Sequence, residues 1–163
     1  MKKLSLEDVF DFLKSQEFIF IGTTDLKNRP HTSAKPLLKL ESDSVYLVDY
    51  IIGRTSKNLG LNPKASLSFI DMDKIIGYQL YGQAKVLHQG SEYEKLLHEI
   101  HEQQVRFVTK RLVSGVRKGK HSKGSELISL KVVNIFKIKI KEVMQLRPNG
   151  DIDKVFMGEE SNE

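Results

Sequence analysis

Ile76-Gly77-Tyr78-Gln79-Leu80-Tyr81-Gly82-Gln83-Ala84-Lys85-Val86 alternates without a break. Ile76, Tyr78, Leu80, Gly82, Ala84 and Val86 share one face, and Gly77, Gln79, Tyr81, Gln83 and Lys85 share the other. A period of two means a strand with one side turned to a core. Upstream, Phe18-Ile19-Phe20-Ile21-Gly22-Thr23-Thr24 is a β-rich run closed by the turn Asp25-Leu26-Lys27-Asn28. Residues 33–40, 45–50 and 65–70 read as further strands. In the first of these Ala34, Pro36, Leu38 and Leu40 fall on one side; Pro36 cannot donate to a ladder, so it marks an edge or a bulge. Residues 127–140 repeat the alternation, interrupted at Val132-Val133 and Asn134, where a bulge is expected.

Helical spacing occurs at 5–14, where Ser5 can cap and Asp8 takes the capping-box position. It recurs at 91–112, with Ser91 as cap and Leu96, Leu97, Ile100, Phe107, Val108 and Leu112 on one face. Long alternating strands with few βαβ units predict a mainly β, α+β fold: six antiparallel strands in a barrel or sandwich with flanking helices.

A chain of 163 residues fits one domain. It contains no Cys, which excludes disulfides and thiolate metal or redox centres. Glu7 and Asp8 follow Met1-Lys2-Lys3-Leu4 before any long apolar run, so no signal peptide is read. No stretch approaches the ~18 apolar residues of a membrane span, and a cytoplasmic location is expected. The net charge of +5 raises the question of nucleic acid. Lys110, Arg111, Arg117, Lys118, Lys120 and Lys123 account for it, and the rest of the chain is close to neutral. That segment has three Gly and few aromatic platforms, so it reads as a mobile loop that attracts an anionic small molecule or is simply solvated, and nucleic acid is not an expected partner.

Gly53-Arg54-Thr55-Ser56-Lys57-Asn58-Leu59 carries the most chemistry. A strand ends, Gly53 allows a sharp turn, a short helix starts with Thr55 or Ser56 as cap, and Asn62-Pro63 stops it. Free N–H groups at a helix start, beside Arg54 and Lys57, suit a phosphate. A plain capped helix with exposed cations fits the same residues. Lys35 and Gln79 stand on otherwise apolar strands, where each either reaches a planar polar ligand or sits on a solvated outer face. His98 and His101 are three apart on a helix near Glu94 and Glu102, but no third ligand is obvious and no metal is expected.

Four pieces in order resemble the FMN-binding split-barrel superfamily, which includes pyridoxamine 5′-phosphate oxidase and small FMN-binding proteins. They are Phe20–Asp25 with Arg29-Pro30-His31-Thr32-Ser33; Lys35-Pro36-Leu37-Leu38-Lys39; Gly53-Arg54-Thr55 running into Asn58-Leu59 and Asn62-Pro63-Lys64-Ala65; and Gly77–Ala84. The resemblance covers residues 5–141. It implies a six-stranded antiparallel split β-barrel over 1–145, with 146–163 as a C-terminal extension; the polar end Gly158–Glu163 itself reads as a disordered tail. It implies FMN, with the phosphate gripped by Arg54 and Thr55, helped by Lys57 or Asn58. Ser33, Ala34, Lys35, Pro36 and Leu37 would lie against the isoalloxazine and ribityl, and Val48, Asp49 and Tyr50 would line the same pocket. Gln79 would approach from the partner strand.

It further implies a homodimer with flavin at the subunit interface and an FMN-dependent oxidoreductase acting on an unidentified small molecule. A flavin-binding or sensing protein without turnover, or a split barrel holding deazaflavin or haem, is the alternative. The pattern departs from the vitamin oxidase itself. There is no Trp, Met144–Asp151 offers only Arg147 in place of an Arg-x-His signature, and Gly77 stands where a flavin-facing Gln is usual.

Overall fold

The structure, a computed structural model, describes residues 4–102 and 131–157. Its strands are β1 (Phe18–Thr24), β2 (Pro30–Glu41), β3 (Ser44–Asp49), β4 (Lys64–Asp71), β5 (Ile76–Leu87), β6 (Asn134–Leu146) and β7 (Ile152–Phe156). The helices are α1 (Leu6–Leu13), α2 (Arg54–Leu61) and α3, which spans 91–102 of the described residues. Strands run in the order β3-β2-β1-β4-β5-β6, every pair antiparallel, and β3 pairs with β6 to close the ring. The chain is therefore a closed six-stranded antiparallel barrel with flanking helices.

Inward positions of the ring form the main core. Ile19 and Ile21 of β1, Val45 and Leu47 of β3, Leu67 of β4, Leu80 of β5 and Phe136, Ile138, Ile140 and Val143 of β6 are almost wholly buried. Burying a side chain of this kind contributes roughly 1.5–3 kcal/mol, which is why the alternating pattern fixes the register. α1 adds Leu6, Val9, Phe10 and Leu13 to this core. Its Phe12 stacks with Phe69 and Tyr78, ring centroids 5.9 and 5.8 Å away. Ser5 caps α1 by accepting from the Asp8 N–H at 3.2 Å.

β3 is buried along its whole length. Val45 and Leu47 face the barrel core, whereas Tyr46 and Val48 enter a second core with Leu38, Leu87, Leu96, Ile100, Val132 and Ile135, under α3. Ion pairs ring that docking site. Lys137 meets Glu92 at 2.7 Å, and Lys39 meets Glu99 at 3.1 Å and Glu41 at 2.7 Å.

Several sequence expectations change. Of the expected strand 127–140, residues 127–130 lie outside the described residues; the last barrel strand starts at Asn134, after 131–133 outside any strand, and runs on to Leu146. Its irregularity lies at Lys141, since Tyr81 pairs with Glu142 but Gly82 with Ile140. That extra residue moves the inward phase from Ile140 to Val143. A side chain at Gly82 would strike the Lys139 carbonyl, so the close strand approach there requires glycine. A second shift falls between Leu37 and Lys39, just after Pro36. It sends Leu38 into the core under α3 while Leu37 and Leu40 pack on the barrel core.

The extension 146–163 contains β7, which pairs with β6 outside the ring. The expected tail 158–163, the basic segment 110–124 and the second half of the 91–112 helix lie outside the described residues. Ser91 is the first residue of α3 rather than its cap; the Glu94 N–H donates to the Gly90 carbonyl at 3.0 Å.

Candidate functional site

The β1–β2 turn is built by one carboxylate. Asp25 Oδ1 accepts from the Lys27 and Arg29 N–H groups at 2.8 and 3.0 Å, while Oδ2 accepts from Arg29 Nε at 2.7 Å. The Arg29 N–H bond and the guanidinium hold the Asp25 carboxyl below its ordinary value, against the opposing pull of burial. Asn28 closes the turn in the left-handed region, φ 59°.

This turn faces α2 across a cleft of about 330 Å³ lined by Asp25, Arg29, Pro30, His31, Arg54, Lys57 and Asn58. Three permanent cations and one His thus oppose a single carboxylate, an arrangement that attracts anions. Arg54, Lys57 and Asn58 contribute the α2 side of this cleft. Arg29 and His31 were read only as part of a hairpin motif. Their signal was the cations at a turn, and only the fold brings that turn to α2.

α2 begins at Arg54, and its N-cap Gly53 supplies no side-chain cap. Neither Thr55 nor Ser56 caps it, because both lie inside its first turn, where their hydroxyls bond elsewhere. Thr55 Oγ1 lies 2.8 Å from Ser33 Oγ, and Ser56 Oγ donates to Asp49 Oδ2 at 2.7 Å. The N–H groups of the first turn of α2 therefore have no side-chain cap competing for them. Thr55 is buried, so its hydroxyl does not line the cleft. The Asn58 amide donates to Thr23 Oγ1 at 3.1 Å and ties α2 to β1.

Lys35 is not on an outer face. It pairs with Ile19 of β1, as Ser33 pairs with Ile21 and His31 with Thr23, so all three share the inward side of β2. His31 enters the cleft, Ser33 holds Thr55, and Lys35 forms an ion pair with Asp49. Asn134 of β6 completes the group by donating to Ser56 Oγ at 3.1 Å.

The other expected residues separate. Asp49 belongs to this inward network, but Val48 and Tyr50 pack into the core under α3, so the three do not line one pocket. Leu37 packs on the barrel core. Ala34 and Pro36 lie on the outer face opposite Phe20 and Phe18. Gln79 is on that outer face too. Register carries one row across the sheet, Ala34–Phe20–Ser68–Gln79–Met144. Gln79 Oε1 accepts from the Tyr81 hydroxyl at 3.0 Å. Phe18, Phe20 and Ile70 on this face are about half exposed, at 53%, 58% and 49%.

His98 and His101 lie on α3. Among the described residues no group of three or more His, Asp or Glu gathers to hold a metal ion. No helix among them is long and apolar enough to cross a membrane.

The sequence model of pyridoxamine 5′-phosphate oxidase matches residues 6–139. The chain belongs to this family. No curated protein matches it in sequence. Solved structures share its fold at low identity. One, a protein related to general stress protein 26 from Clostridium acetobutylicum, superposes with a TM-score of 0.63 at 16% identity over 93% of this chain and 94% of that one. A pyridoxamine 5′-phosphate oxidase-related, FMN-binding protein from Nostoc punctiforme gives 0.54 at 9% identity over 88% and 87%. HutZ, the haem storage protein from Vibrio cholerae, gives 0.57 at 17% identity over 86% and 92%.

Proposed function

We propose that this protein binds FMN and acts as a flavin-dependent oxidoreductase on a small molecule. The observation that carries the reading is the cationic cleft at the start of α2, where Arg54 and Lys57 meet Arg29 and His31 beside N–H groups with no side-chain cap. Asp25 offsets Arg29, which leaves about two surplus positive charges; a phosphate monoester carries about −1.5 to −2 near neutral pH. Arg54 and Lys57 would hold that phosphate, with Arg29 and His31 closing the other wall. When bound, the flavin supplies the electron or hydride transfer, and the protein supplies binding and orientation.

The outer face supports a homodimer. Phe18, Phe20, Ala34, Pro36 and Ile70 form an apolar surface around Gln79 and Tyr81, and aromatic residues of this kind are enriched at interfaces. The Ser33–Leu37 backbone and Gln79, assigned to the flavin ring by the resemblance, border the same face. A second copy seated there would give each ring its other wall.

The test is an absorbance scan of the purified protein followed by fluorescence titration with FMN and riboflavin. Two flavin bands, about one FMN per subunit and a clear preference for FMN are expected. Arg54→Ala should lower FMN affinity about tenfold to a hundredfold, with riboflavin unaffected. A colourless protein that ignores added FMN ends this reading. Haem is the second reading, favoured by the likeness to haem-binding and haem-storing proteins; a Soret band in place of the flavin bands selects it. Oxidation of a reduced nicotinamide by the loaded protein separates an enzyme from a binding protein.

A further inference from the structure

Beneath the cleft lies a polar group that nothing in a simple barrel requires. Asp49 is 1% exposed, and its partner Lys35 is 14% exposed. Asp49 Oδ1 pairs with Lys35, and Oδ2 accepts from Ser56. Ser56 in turn accepts from Asn134. The Asp49 carbonyl accepts from the Val133 N–H at 2.9 Å. β3 through Asp49 and β6 through Asn134 thereby hold one hydroxyl in the first turn of α2, and β2 braces Asp49 through Lys35.

Desolvating two charges is costly, and a buried ion pair is weak evidence for stability. Apolar residues would fill a barrel end more cheaply. A carboxylate below an anion site is also of the wrong sign, and Lys35 offsets it. Neither stability nor attraction of an anion accounts for Asp49. Its geometry does. Asp49 holds Ser56, and Arg54 stands two residues away on the same turn.

We propose that Asp49 is a positioning residue for the cleft: through Ser56 it fixes the first turn of α2, so that Arg54 and the turn's N–H groups are set before a phosphate arrives. A preset turn lowers the ordering cost of binding. The proposal rests on the reading of the cleft as a phosphate site, and it can fail while that reading stands.

FMN and riboflavin are titrated against the parent protein, Ser56→Ala, Ser56→Thr and Asp49→Asn, with melting temperature recorded for each. Ser56→Ala should lower FMN affinity roughly threefold to thirtyfold and leave riboflavin unchanged, while Ser56→Thr, which keeps the hydroxyl, restores FMN. Asp49→Asn is the sharper case. Charge alone would make FMN bind tighter, whereas loss of position makes it bind more weakly. Tighter FMN binding by Asp49→Asn, or unchanged FMN binding by Ser56→Ala, overturns the proposal. So does a loss of FMN and riboflavin binding in step with a lowered melting temperature, which marks the network as structural only. If Asp49→Asn does not fold, the Ser56 pair decides. A parent that binds FMN no better than riboflavin instead removes the phosphate reading, and the proposal with it.

Discussion

Ser33 and Thr55 meet hydroxyl to hydroxyl at 2.8 Å, fastening the inward side of β2 to the first turn of α2. Thr55 is buried and Ser33 half-buried, so this bond is partly shielded from water. Thr55→Val keeps the shape and removes the hydroxyl. It should cost about 1 kcal/mol of stability, seen as a lower urea midpoint with an unchanged slope. An unchanged midpoint would mean that the bond contributes nothing net.

Among the described residues, Asp25 is the one carboxylate lining the cleft. Asp25→Asn can keep the turn's N–H acceptor while removing a charge that opposes an anion. FMN should bind more tightly to this variant, and the gain should fade with added salt. Arg29→Ala should weaken FMN less than Arg54→Ala, because Asp25 already offsets Arg29. Equal losses in the two variants would show that Asp25 does not screen Arg29.

Phe20 stands mid-row on the outer face, between Ala34 and Ser68. Phe20→Glu should leave the barrel core intact and place a charge at the centre of the proposed interface. Light scattering across a dilution series should report a dimer for the parent and a monomer for the variant. A parent that stays monomeric while saturated with FMN rejects the shared interface.

Glu92 is held below the usual carboxylate range by its hydrogen bond from Lys137, and Glu41 by those from Lys39 and then Tyr46. Both folded values lie under the ordinary 4.5. Their stabilisation is complete above that pH and drains away as pH falls through the lowered values. Lys137 is raised by Glu92 and Tyr46, so the basic side of the pair gives way only far above neutrality. Protection of the 91–102 amides against hydrogen exchange, taken relative to the intrinsic rate at each pH, should therefore stay constant through neutral pH and fall below about pH 4.5, with a smaller acid response in Glu92→Gln. Protection that is equally acid-sensitive in both would place the effect elsewhere.

What the sequence made legible follows from burial on one side. Residues 76–86 alternate because one face meets the core, and their strand is β5 with its inward set intact. β7 was missed because its residues are all at least partly exposed, so no core imposes a period on it. The position of α2 was legible from Gly53 and Asn62-Pro63, but its cap was not. Thr55 and Ser56 are good capping residues locally, but both lie inside the first turn, where each bonds a strand partner, Ser33 or Asp49. Lys35 shows the same limit. Alternation gives two faces, but only the pairing with Ile19 shows which is inside.

Closure of the ring has a kinetic side. β1–β2, β2–β3 and β4–β5 are hairpins or near neighbours in the chain, whereas β3–β6 joins Ser44 to Lys139. That pairing carries the greatest loop entropy and is rewarded last. Leu47 and Phe136, which face each other across it, should accordingly show low φ-values. Truncating either should quicken unfolding and leave the folding rate nearly untouched, so the seam that completes the barrel is also the place where its lifetime is set.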